Sequence, residues 1–159
     1  MNLRIEKIHP SNDEACVFIA TEYLKMFLEL NPGAEEFYNN GKIGERLTKN
    51  FINDYITEDI ASDTIIYIAF IDDEMVGALQ FDRDNHLSCL FVKEEYRNRF
   101  IGSQLLERLI NDFDGFGIIK VDARIEACSL YERFSFKRIP NCGTKHFVPM
   151  ELEMKKSGK

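Results

Sequence analysis

The chain has 159 residues, 45% hydrophobic and 30% charged, with 9 Gly and 4 Pro. That length holds one domain with a sizeable core and is short for two, and the composition excludes a disordered or fibrous chain. With 20 Lys plus Arg against 27 Asp plus Glu, a net charge of -7, it argues against a nucleic-acid partner and against an anionic membrane surface, both of which need a basic face.

In chain order, Leu3 to Ile8 alternates apolar and charged residues, a half-buried strand stopped by His9-Pro10. Ser11 reads as a helix cap, with Glu14 completing a capping box. Ala15, Phe18, Ile19, Leu24, Phe27 and Leu28 hold helical spacing up to Asn31-Pro32-Gly33. A second helical stretch runs from about Ala34 to Tyr55, with a break at Asn39-Asn40-Gly41. Thr64 to Ile71 is β-branched and apolar throughout, which predicts a strand buried on both faces. Asp72-Asp73 turns the chain into Met75 to Phe81, and Asp82-Arg83-Asp84-Asn85 turns it into His86 to Val92, an antiparallel meander.

Ile101, Leu105, Leu106, Leu109, Ile110 and Phe113 then form one stripe of an amphipathic helix. Gly115-Phe116-Gly117 leads to a strand, Ile118 to Ala123, and a short helix at about Glu126 to Arg133 precedes a strand at Phe136 to Ile139. A last strand, Phe147 to Met154, carries Pro149 at an edge or bulge. The order describes an α/β fold: a mixed, mostly antiparallel central sheet flanked by helices on both faces. One domain is expected over residues 1–154, with 155–159 as a flexible tail.

Cys16, Cys89, Cys128 and Cys142 show no paired spacing, the pattern of free, buried thiols in a reducing compartment. The longest apolar run, Ile65 to Ile71, is too short to cross a bilayer, and the N-terminal residues hold no signal-peptide stretch. The expectation is a cytoplasmic protein without a membrane partner. His9, His86 and His146 lack metal-type spacing with the cysteines, so no metal site is expected.

The segment from Leu90 to Leu106 carries the chemistry. A strand ending Leu90-Phe91-Val92 runs through a short basic loop into the amphipathic helix. A helix start offers unpaired backbone N–H groups and the positive end of its dipole. Arg97 and Arg99 bracket that start, and Gly102 lets the backbone approach a ligand, which meets the needs of a pyrophosphate site. An ordinary strand-to-helix connection with two solvated arginines fits the same residues.

This segment resembles motif A of the GCN5-related N-acetyltransferases, a strand ending in Val followed by Arg/Gln-x-x-Gly-x-Gly/Ala: here Arg97-Asn98-Arg99-Phe100-Ile101-Gly102, continued by Ser103-Gln104-Leu105-Leu106. Ala127-Cys128-Ser129-Leu130-Tyr131-Glu132-Arg133-Phe134-Ser135-Phe136 is similar to the family's Ala-x-x-Leu-Tyr-x-x-x-Gly-Phe signature. Two departures stand out: Phe100 replaces the first motif Gly, and Ser135 the Gly before the terminal Phe. If Phe100 needs positive φ it is strained; if its φ is helical, the ring need only point away from the phosphates.

The resemblance implies an acyl-CoA N-acyltransferase-like fold whose sheet splays where the strand ending at Val92 meets Ile118 to Ala123. It implies acetyl-CoA as acetyl donor, its pantetheine arm on the backbone of Leu90, Phe91 and Val92. The pyrophosphate would rest on the amides from Asn98 through Arg99, Phe100, Ile101 and Gly102 to Ser103. Tyr131 would protonate the departing thiolate, and His86, six residues before the motif Val, would be the base. By their own chemistry Tyr131 could simply pack a short helix, and His86 could be a solvated residue after a turn. Alternation puts His86, Ser88, Leu90 and Val92 on one face unless a bulge breaks the parity; a water or Asp82 could replace His86 as base.

The implied activity is acetylation of an amine; the alternative is a CoA-binding or interaction module on the same fold without turnover, suggested by Phe100 and Ser135. In the family the first two helices wall the acceptor side. Residues 1–63 carry 12 Asp/Glu against 6 Lys/Arg, whereas residues 64–159 carry 15 against 14. That imbalance, with Glu35-Glu36-Phe37-Tyr38, favours a small cationic amine as the small-molecule partner, although plain solvated helix faces would look the same. A homodimer is left open.

Overall fold

In the computed structural model, which describes residues 2–113 and 117–155, strands β1 (Leu3–Ile8), β2 (Ile65–Ile71), β3 (Glu74–Phe81), β4 (His86–Val92), β5 (Gly117–Arg124), β6 (Lys137–Arg138) and β7 (Phe147–Met154) form one sheet. Their order is β1-β2-β3-β4-β5-β7-β6. All neighbours run antiparallel except β4 and β5, which run parallel. Asp72 and Asp73 take φ of 50° and 78°. Two such residues make the left-handed hairpin turn whose twist suits the flanking strands, and Asp tolerates the conformation better than most side chains.

Among the described residues the α-helices are α1 (Asp13–Leu30), α2 (Pro32–Tyr38), α3 (Gly41–Asp54), α4 (Ile101–Asp112) and α5 (Cys128–Arg133). β2 is buried on both sides, as its unbroken apolar run requires. Ile66, Ile68 and Phe70 join Ala15, Ile19 and Ala20 of α1 in one core. Tyr67, Ala69 and Ile71 join Ile101, Leu105, Leu106 and Leu109 of α4, with Cys128 and Tyr131 of α5, in the other. The last turn of α3 widens into a π turn, Tyr55–Asp59.

Several local expectations shift. The cap of α1 is Asn12, whose side chain accepts from Ala15 N at 2.9 Å. Ser11 instead turns back to His9, its Oγ 2.7 Å from Nδ1. Asn and Ser cap about equally well, and starting one residue later puts Asp13 and Glu14 in the first turn, against the positive end of the dipole. Pro32 not only follows α1 but opens α2, where its missing N–H costs nothing.

Pro149 sits on neither an edge strand nor a bulge, because β7 lies between β5 and β6. Its carbonyl accepts from Ile139 N at 3.0 Å. Its nitrogen therefore faces β6, which is only two residues long, and little pairing is lost. Cys16, Cys89 and Cys128 are free and buried, but Cys142 is free and exposed. The turn at Gly115-Phe116 and the expected tail beyond Lys155 lie outside the described residues.

α2 and α3 meet at Gly44. A Cβ there would lie 2.6 Å from the Tyr38 carbonyl carbon, and nearer still to its oxygen. Gly to Ala in an open helix stabilises by about 1 kcal/mol. Here the clash with backbone should win: Gly44→Ala is expected to cost about 1–3 kcal/mol, read as a lower urea midpoint with an unchanged slope.

Candidate active site

The sheet opens between β4 and β5. They pair only at His86 with Lys120 and Leu87 with Val121. On its other side β4 pairs with β3 in a broken register: Phe81 faces Leu87 and Gln80 faces Cys89, so Ser88 is an inserted residue. Such a bulge bends its strand and increases the local twist, which carries β4 away from β5. Lys93 N donates to Val76 O across the β3 side. By alternation, Leu90 and Val92 turn their N–H and C=O groups away from β3, into the opening. Val92 O is taken there by Arg97 Nε at 3.0 Å. Phe91 stands apart, its backbone facing β3 and its ring 5.3 Å from that of Phe18 on α1.

The chain passes from β4 through a 3-10 turn, Glu94–Tyr96, to the start of α4. Phe100 occupies the cap position with φ 61° and ψ 19°, and Asn98 is also left-handed at φ 64°. Gln104 N makes the first helical bond, to Phe100 O at 3.0 Å. The amides of Ile101, Gly102 and Ser103 therefore precede any helical acceptor. Arg133 at the end of α5 reaches Ser103 Oγ at 3.4 Å, and the Arg99 guanidinium lies 5.4 Å from the Tyr96 ring centre. A Cβ on Gly102 would sit 3.8 Å from Leu130 and Val92, ordinary contact, so protein packing does not demand a glycine there. These residues fit a long diphosphate-bearing arm: an open strand edge runs directly into free amides with basic side chains beside them.

Phe100 resolves its two alternatives toward strain. Its φ is positive and its ring is 69% exposed, so nothing is gained by packing. Ser135 is likewise left-handed, at φ 72°. Both positions keep the conformation glycine would favour.

Tyr131 is 5% exposed and stands edge-on to Phe136 with ring centres 5.4 Å apart. Burial, with smaller contributions from Cys89 and Cys128, pushes its hydroxyl well above the ordinary tyrosine range. It packs like a core aromatic and keeps its proton.

His86 does not share a face with Leu90 and Val92. The inserted Ser88 flips the parity: Leu87, Leu90 and Val92 pack toward α4, whereas Cys89 and Phe91 pack toward α1. His86 Nδ1 lies 3.2 Å from Ser88 Oγ, and Nε2 lies 3.3 Å from Asp122 Oδ2 on β5. The Ser88 hydroxyl donates to Asp82, which also accepts from Gln80 Nε2 at 3.1 Å. Gln80 is wholly buried, and the Tyr55 hydroxyl donates to it at 2.7 Å. Farther along β5, Arg124 pairs with Glu29 of α1 at 3.1 Å and with Glu126 at 2.8 Å.

Ser88, Gln80 and Asp122 have no motif to announce them; only strand pairing brings them to the network around His86. On the α2 side, Glu35, Glu36 and Phe37 are exposed, and Tyr38 packs against Phe27, 6.3 Å between ring centres. An open groove of about 590 Å³ between α2 and α3 is lined by no residue of β4, β5 or α4.

A mostly antiparallel seven-stranded sheet that opens at its one parallel pair, with a free helix start below the opening, is the acyl-CoA N-acyltransferase-like architecture. The chain belongs to the GNAT acetyltransferase family, whose acetyltransferase domain profile matches residues 23–156. Among solved structures it is similar to the PaiA N-acetyltransferase of Thermoplasma acidophilum in complex with coenzyme A, at 19% identity over 97% of this chain and 100% of that one, TM-score 0.62. It is similar also to a histone acetyltransferase HPA2 and related acetyltransferase of Corynebacterium glutamicum, at 17% identity over 99% of each chain, TM-score 0.69. An N-acetyltransferase of Staphylococcus aureus matches at 20% identity over 98% of this chain and 100% of that one, TM-score 0.61. Sequence comparison with curated proteins gives no match. Among the described residues no helix is long and apolar enough to cross a membrane.

Phe100→Gly should relieve the left-handed strain at no packing cost. The expected gain is about 1 kcal/mol, raising Tm by about 2–4 °C in a chain of this size. Calorimetry checks it, and an unchanged or lower Tm would show that Phe100 is not strained.

Proposed function

We propose that this chain is an acetyl-CoA-dependent N-acetyltransferase, acting in the cytoplasm on a small cationic amine. The observation that carries the proposal is the parallel β4–β5 pair that ends after two rungs, on a strand leading straight to the unpaired amides of α4. The relative from Thermoplasma holds coenzyme A, which supports the same cofactor here.

When bound, acetyl-CoA supplies an acetyl group activated as a thioester. Leu90 and the Val92 amide would pair with the amide groups of its arm, as an added strand pairs with an open edge. The amides of Ile101, Gly102 and Ser103, with Arg133 and Arg99 nearby, would hold the diphosphate. Tyr131 Oη holds a proton for the departing sulfur, and its burial keeps that proton in place at neutral pH and above. His86 takes the proton of the acceptor ammonium. Asp82 suits that role less, because its carboxylate is already engaged by Ser88 and Gln80.

Charge supports the acceptor class. Residues 1–63 carry a balance of -6, from 12 acidic against 6 basic side chains, and Asp122 adds a carboxylate beside His86. A like-signed region concentrates ligands of opposite charge.

Acetyl-CoA should raise Tm, and thiol release should follow on adding spermidine, glucosamine or lysine amide, more slowly as salt rises. Stabilisation without release on any amine would favour a CoA-binding module, and no stabilisation would remove both readings. Turnover confined to neutral or anionic amines would contradict the charge argument. Tyr131→Phe is expected to lower kcat roughly 10²-fold while leaving the Kd for CoA within about twofold. Unchanged kcat would leave Tyr131 as a packing residue.

A further inference from the structure

The polar network behind His86 runs from Tyr55 through Gln80 and Asp82 to Ser88. Gln80 points one end of its amide at two acceptors, Asp59 O at 3.0 Å and Asp82 Oδ1 at 3.1 Å, so that end is the NH₂. Its other end, the oxygen, accepts from Tyr55. Asp82 takes the single hydroxyl hydrogen of Ser88 at its other oxygen. Ser88 Oγ can then only accept from His86, 3.2 Å away, so the neutral imidazole carries its hydrogen on Nδ1. Nε2 is the nitrogen left to take up a proton, and Asp122 Oδ2 lies 3.3 Å from it. Side-chain exposures of 31% for His86 and 59% for Asp122 leave this end of the network open to solvent.

We infer that Asp122 is a positioning residue for the transfer reaction, held at the last rungs of β4 against β5 to receive the Nε2–H that forms when His86 takes the acceptor's proton. This rests on the reading of His86 as base. In that step an ammonium N–H bond breaks and the Nε2–H bond forms, directly or through one water. Imidazole becomes imidazolium, and the Asp122 carboxyl group lies beside the new charge. Ser88 and Asp82 do the complementary work of keeping the proton on Nδ1, so that Nε2 is the nitrogen that takes up the second one. The same two rungs of parallel pairing that limit the opening bring Asp122 across to His86, 36 residues away in the chain.

The test has two arms, both on the full chain. Long-range proton–nitrogen correlation spectra of ¹⁵N-histidine-labelled protein should show neutral His86 with its hydrogen on Nδ1. In Ser88→Ala, where that hydrogen loses its acceptor, it should move to Nε2. Wild-type protein with the hydrogen on Nε2 would overturn the assignment. The second arm follows thiol release from acetyl-CoA with spermidine, glucosamine and lysine amide. Asp122→Ala should lower kcat roughly 10-fold, the usual scale for a group that orients a reacting one, with both KM values within about twofold. Added to His86→Ala, the same change should cost nothing further. An equal loss in the His86→Ala background, or a loss confined to KM, would overturn the proposal by showing that Asp122 acts on the acceptor or on the fold. If His86→Ala alone leaves kcat unchanged, the base reading itself falls, a result distinct from either.

Discussion

The insertion of Ser88 into β4 is the constraint on which the rest of the site depends. One extra residue against β3 bends the strand, and the pairing of β4 with β5 ends after two rungs. The open edge beyond those rungs carries Leu90 and Val92, and it leads without a long loop into the free amides that start α4. The insertion also reverses which residues face which layer. Leu90 and Val92 pack toward α4, whereas Cys89 and Phe91 turn toward α1. His86 sits at the root of the opening, in contact with Ser88 of its own strand and Asp122 of β5.

Such a site needs support, because several of its elements are unfavourable alone. Asn98, Phe100 and Ser135 hold left-handed backbone without glycine, and Gln80 is a wholly buried amide. The strain at Phe100 is held in place by α4 itself: Ile101, Leu105, Leu106 and Leu109 are all at most 2% exposed and anchor that helix to the sheet. The cost of burying Gln80 is met by full satisfaction of its amide, through Tyr55, Asp59 and Asp82. That network also joins the π turn after α3 to the bulge. The end of α3 is thereby fixed to the strand that carries His86, and Arg124 adds a tie from β5 to Glu29 near the end of α1.

Local chemistry makes much of the fold legible. The alternation of Leu3 to Ile8, the doubly apolar Thr64 to Ile71 and the stripe of Ile101 to Phe113 report burial directly, and the strands and helices fall where those patterns end. The break at Asn39-Asn40-Gly41 is equally readable. Shifts of one residue, such as Asn12 rather than Ser11 at the cap, occur where two neighbours are almost equally good. The site is legible only in its contiguous parts, the α4 start and the short helix bearing Tyr131. A bulge leaves no mark in residue types, so the parity of His86 is hidden. Asp122 and Gln80 join the network around His86 through pairings between distant segments, and no spacing in the chain encodes them. Phe100 shows the opposite case: its identity hides a backbone conformation that the sequence pattern around it still specifies.

The most direct test of the central claim, a cofactor arm along the open edge of β4 with its diphosphate at the start of α4, is backbone amide NMR during titration with acetyl-CoA. The account predicts the largest shift changes at Leu90, Val92 and Ile101 to Ser103, with Phe91 moved less because its amide faces β3. Changes centred instead on the groove between α2 and α3, or none along β4, would contradict it.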